Sequence, residues 1–189
     1  MKPSSLPTEK GAAAGHHKIG EVLEGLRKRF ERMMEFVIVA LMAILAVEVT
    51  VGLTFRELGS ALVWYDEVAS VLLAWLTYLG AVLAALKRSH IGFPEVVRAL
   101  APGPRVALTI LAEAFVFGFF ALLAWVGWEV LGVLATDTLV TLPEVPVMYT
   151  QSIIPVSAVL FIIAEALSLP RILHEARHGA AKSGLELTH

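Results

Sequence analysis

Two sets of side chains in this 189-residue sequence could carry chemistry: six histidines, and three glutamates set inside long apolar runs, with Glu35 at the edge of the first run. The histidines are His16, His17, His90, His174, His178 and His189, and none falls inside an apolar run. A haem held by two imidazoles, or an imidazole proton relay at membrane depth, therefore has no group to use. The pairs His16/His17 and His174/His178 have spacings that bind metal weakly, and solvated histidines near the chain ends are the plainer reading. Cysteine is absent, which removes disulfides, thiolate metal sites and thiol nucleophiles. GxSxG, HExxH, P-loop and GxGxxG motifs are absent too. The sequence predicts no cofactor, no metal site and no enzyme activity.

The glutamates are Glu48, Glu113 and Glu165. An ionised carboxylate near the centre of a bilayer costs about 2.5–3.5 kcal/mol, so such a group faces protein or water. Glu165 lies near the end of its run and can reach the interface by snorkelling. Two readings of Glu48 and Glu113 stay open. They form part of an ion or proton path, or they are buried interface groups, protonated or paired with a neighbouring chain. A path needs a chain of polar residues, and these runs contain few others, which favours the second reading.

The elements that must position these residues are membrane helices. The chain is 57% hydrophobic and 17% charged, against about 45–50% and 25% in soluble domains. The excess falls in four runs, about 33–55, 68–86, 106–128 and 145–169, each near the 20 residues that cross a 30 Å hydrocarbon core. Nothing alternates like a barrel strand, so all four are expected as helices. Of the fifteen Lys and Arg, all but Arg56 fall before run one, between runs two and three, or after run four. The positive-inside rule then places both termini and the middle loop in the cytoplasm. The net charge of −2 gives no basic field for nucleic acid.

Residues 1–17 read as a flexible tail, with no apolar stretch typical of a cleavable signal ahead of run one. Residues 18–32 read as an amphipathic interfacial arm, with Ile19, Val22, Leu23, Leu26 and Phe30 on one face and Arg27, Lys28, Arg29 and Arg32 as candidate lipid-facing residues. Packing of the arm on the middle loop is the alternative. Ile91, Phe93, Val96, Val97 and Leu100 suggest a short amphipathic helix in that loop, and the segment before run four reads as irregular surface chain. Residues 170–189 read as a cytoplasmic tail. The expected fold is an all-α integral membrane protein with four transmembrane helices, both termini cytoplasmic and an N-terminal amphipathic interfacial helix.

Around run two, the stretch Trp64-Tyr65-Asp66-Glu67, then Trp75, Leu79-Gly80-Ala81 and Lys87-Arg88-Ser89-His90-Ile91, resembles the small permease subunit of tripartite ATP-independent periplasmic (TRAP) transporters. Thr138–Leu142, Pro143, Tyr149 and Ile154-Pro155-Val156 look like the family's entry into the fourth helix. The resemblance covers roughly residues 30–170. It departs at Ser70 and Pro94, where many members carry an arginine and an aspartate. Membership implies a membrane scaffold without its own substrate site, bound to a large multi-span permease subunit. A periplasmic solute-binding protein would deliver the solute, usually an organic acid, and an ion gradient would drive uptake across the bacterial inner membrane. On this resemblance the candidate partner-interface residues are Glu48, Trp64, Asp66, Glu67, Trp75, Gly80, His90 and Glu113. A self-sufficient four-helix transporter or channel using Glu48 and Glu113 is the alternative.

Overall fold

The computed structural model describes residues 7–87 and 102–178. Its elements are helix α1 (Pro7–Glu57), α2 (Tyr65–Lys87), α3 (Pro102–Val133), a 3-10 turn (Leu134–Thr136), the five-residue α4 (Val147–Gln151) and α5 (Ile153–His178). α1, α2, α3 and α5 are long and apolar enough to cross a bilayer, in agreement with the four runs in the sequence. His90 and the middle-loop helix expected around 91–100 lie outside the described residues.

The helices form a row. α1 and α2 pack as an antiparallel hairpin, α2 packs on α5, and α5 packs on α3. The start of α1, the end of α2, the start of α3 and the end of α5 share one side, which carries Arg27, Lys28, Arg29, Arg32 and Lys87 and is called here the basic end. Met34, Leu79, Val82, Leu86, Ile153, Phe161 and Ala164 make the core between α1, α2 and α5. On the α3 side the rings of Phe120 and Phe161 stack with centroids 3.8 Å apart and planes 11° from parallel.

Two glycines set helix spacing. A Cβ at Gly52 would fall 2.6 Å from Tyr65 Cγ and 3.1 Å from Tyr65 Cβ, so only a bare Cα lets α1 meet the start of α2 there. At Gly127 the equivalent atom would lie 3.2 Å from Pro155 Cδ, where α3 crosses the first turn of α5. Gly80, one of the candidate partner-interface residues, faces open space within the chain.

Several boundaries differ from the sequence reading. α1 starts at Pro7, so residues 7–17, expected as a flexible tail, are helical from there. Pro suits the first helical position, and Ala12-Ala13-Ala14 are the strongest helix formers. No break separates the arm from the span, since neither proline nor a Gly/Ser pair stands at the junction near Arg32. α5 likewise continues through Pro170 to His178, past the expected start of the tail at 170. Run four is not one helix from 145. Pro155 has no N–H to give the Gln151 carbonyl, and the helix is interrupted at Ser152 between α4 and α5.

Candidate partner interface

Four polar ties lock the hairpin and the loops in place. At the basic end Arg27 Nη2 donates to the Leu86 carbonyl at 2.9 Å, which satisfies one of the free carbonyls at the end of α2. Beside it Lys87 Nζ pairs with Glu35 Oε1 at 2.5 Å. At the other end the Glu67 carboxylate accepts from the Val140 amide at 3.0 Å and the Thr141 amide at 2.8 Å. The Thr141 hydroxyl also donates to it. Trp75 Nε1 donates to the Thr150 carbonyl at 2.9 Å, tying α4 to the middle of α2.

The loop held by Glu67 is not irregular chain. Thr138 and Pro146 form an antiparallel bridge, with Leu139 N donating to Val145 O at 3.0 Å and Val147 N to Asp137 O at 2.9 Å. A short hairpin results, and Glu67 grips its tip by two backbone amides. Such a grip needs an acceptor with two oxygens, which a carboxylate supplies.

The structure thus gives several of the candidate residues internal roles. Arg27, expected to face lipid, is half-buried against α2, while Lys28, Arg29 and Arg32 are exposed. Lys28 makes an i,i+4 pair with Glu24. Glu67 and Trp75 hold loops of their own chain. Trp64 and Asp66 are exposed at the turn into α2. Both carboxylate oxygens of Glu48 are buried, without a hydrogen-bond partner, and Asp66 is within electrostatic reach. Glu113 is half-buried in α3 with one oxygen buried. Glu48 and Glu113 sit on the two end helices of the row, and their levels differ by about 16 Å at 1.5 Å per residue measured from the ends of α1 and α3. Among the described residues no group of three or more His, Asp or Glu side chains could hold a metal ion.

What the row leaves open is apolar. None of the most apolar stretch of α3 is buried within the chain, and Phe115, Phe119, Leu122 and Val126 line one exposed face of it. α1 exposes Phe36, Ile44, Val47 and Val51 at the opposite end of the row. Sequence reasoning missed the Gly52–Tyr65 and Phe120–Phe161 contacts, for which apolar periodicity gives no partner. A sequence signal for the Glu67 grip did exist: an acidic residue in the first turn of α2 together with threonines in the facing loop.

No curated protein matches the chain. The family described as tripartite ATP-independent periplasmic transporters, DctQ component, matches residues 45–175. The matched stretch takes in the last quarter of α1, the whole of α2 and α3, the gripped loop, α4 and nearly all of α5. This is a transporter component family and not an enzyme family. With four helices fit to cross the membrane and well over half its length matched, the chain belongs to the DctQ component family of TRAP transporters.

Proposed function

We propose that this protein is the small membrane subunit of a TRAP-type secondary transporter, bracing a large multi-span permease subunit in the bacterial inner membrane. The observation that carries the reading is the open row: α3 and α1 close its two ends, and each presents a broad apolar face to its surroundings. A self-sufficient transporter would need a closed polar route, whereas a brace needs stiff helices and wide apolar sides. The internal ties support the brace, since they spend the chain's polar groups on rigidity. In this role the substrate site belongs to the permease, a periplasmic binding protein delivers the solute, an organic acid by family resemblance, and an ion gradient drives uptake.

The basic end faces the cytoplasm in this reading, with both termini there, because fourteen of the fifteen Lys and Arg fall in the sequence segments on that side of the four runs. Lys28 and Arg32 then lie at the level of lipid headgroups. Trp64, Asp66 and Gly80, exposed or facing open space, are the candidate residues that a partner can still reach, and His90 is retained with them from the resemblance.

The test is a mild-detergent pull-down of the tagged protein from its native membrane, read by mass spectrometry. Recovery of a large multi-span permease at close to equal amount is the expected result. Recovery of this chain alone, after controls for detergent stripping, overturns the reading.

A further inference from the structure

Among the described residues, Glu48 alone has both carboxylate oxygens buried and without a hydrogen-bond partner, each offering less than 1 Å² of surface. It stands one helical turn before Gly52, on the side of α1 that meets α2 where the Tyr65 ring lies against the glycine. None of the ties that lock the fold uses it.

The surroundings of this carboxyl decide its charge. α1 packs on α2 and, to a lesser extent, on α5. On α1 itself, residues 36–55 carry no other ionisable side chain. On α2, residues 65–78 contribute Asp66, Glu67 and the phenols of Tyr65 and Tyr78; residues 153–164 of α5 and the turn at 58–64 contribute none. Glu67 is occupied by the Val140 and Thr141 amides. That leaves Asp66, within electrostatic reach, as the charge Glu48 feels. The nearest basic residue along the chain, Arg56, is exposed and about 12 Å farther along α1 at 1.5 Å per residue.

An ionised Glu48 would therefore be a buried charge with no counter-charge and a like charge nearby. Such a group costs far more than a buried hydroxyl that lacks a partner. Neither water nor a basic side chain of a neighbouring protein can compensate it while the hairpin is closed, because the oxygens have no surface to offer.

We propose that Glu48 carries a proton whenever the α1–α2 hairpin is closed, and that giving it up parts α1 from α2 around Gly52, which makes the hairpin a proton-sensitive joint. This role is independent of the bracing of a permease. Opening exposes the carboxyl to water, where a glutamate loses its proton above about pH 4.3. The open form then binds fewer protons than the closed one. The closed form consequently loses ground as pH rises, by up to about tenfold per pH unit, until it ionises as well. The parting is local, since the basic end of the hairpin is fastened by Arg27 on the Leu86 carbonyl and by Glu35 on Lys87.

The cysteine-free sequence lets spin labels be placed in chosen pairs in the full chain, held in lipid nanodiscs. Val47→Cys with Ser70→Cys reports the level of Glu48, and Phe36→Cys with Ala81→Cys reports the basic half; all four positions are exposed. Between about pH 5 and pH 9, a longer distance should grow in at the first pair by up to about tenfold per unit relative to the short one. The second pair should keep one distance. Glu48→Gln, which keeps the shape and cannot ionise, should stay at the short distance throughout, and Asp66→Asn should move the growth to higher pH. A first-pair distance that ignores pH, or that changes equally in Glu48→Gln, overturns the proposal. Glu48→Leu covers poor insertion of the Gln variant. Infrared spectra of the parent less Glu48→Leu, at the acid end of the range, should contain the carbonyl band of an un-ionised acid, and carboxylate bands there instead overturn the proposal.

Discussion

Gly52→Ala should destabilise the hairpin, although the same change stabilises most helices. Replacing glycine by alanine inside a helix gains about 0.8–1.0 kcal/mol in backbone propensity. Here the new methyl would sit 2.6 Å from Tyr65 Cγ and 3.1 Å from Tyr65 Cβ. The ring can rotate away from the first clash, but Cβ is fixed to the backbone, so α1 and α2 must separate by a few tenths of an ångström. Overpacking of this kind costs about 1–3 kcal/mol. The net expectation is a loss of about 1 kcal/mol, and Gly52→Val should lose more. The contact is isolated by a double-mutant cycle with Tyr65→Ala, in which the double variant should recover most of the Gly52→Ala loss and show a coupling of at least about 1 kcal/mol. Reversible unfolding in mixed detergent micelles, followed by tryptophan fluorescence, gives the free energies. A Gly52→Ala protein as stable as the parent, or a coupling near zero, would refute the reasoning, because the glycine would then not be setting the distance.

Two further changes probe the polar ties. Glu67→Gln keeps one carbonyl acceptor but turns an N–H₂ toward a backbone N–H, so amide exchange at Val140 and Thr141 should speed up severalfold while exchange within α3 stays as it was; equal protection at the two loop amides would show that Glu67 does not hold the loop. Arg27→Gln removes the donor to the Leu86 carbonyl and should cost about 1 kcal/mol in the same unfolding assay, whereas Lys28→Gln, one residue along and exposed, should change stability by less than about 0.5 kcal/mol.

The four spans were legible because hydrocarbon thickness converts directly into run length. The family was legible because residues such as Trp64, Glu67 and Pro155 keep their order along the chain. What the sequence hid is long-range pairing. Glu67 and Thr141 are 74 positions apart, and a carboxylate at a helix start reads equally well as an exposed charge. Arg27 shows the same limit: its cluster with Lys28, Arg29 and Arg32 suggests a lipid-facing face, yet the free carbonyl of Leu86 draws one of the four inward. The interruption at Ser152 was readable from Pro155, but apolar residues on both sides disguise it in any hydropathy profile. The burial of both Glu48 oxygens is hidden in the same way, since an apolar run does not say which of its faces is covered.

The open row has a consequence for synthesis. α5 is the last of these four helices to leave the ribosome, and it is the element that joins the α1–α2 hairpin to α3. Until it inserts, the membrane holds a hairpin and a solitary helix with no lasting contact between them, and the stacked face of Phe120 waits for Phe161. Assembly of the four-helix row is therefore tied to insertion of α5. A product cut short before residue 153 has three of these four spans and yet no assembled core, which exposes it to the proteases that clear unpaired membrane helices.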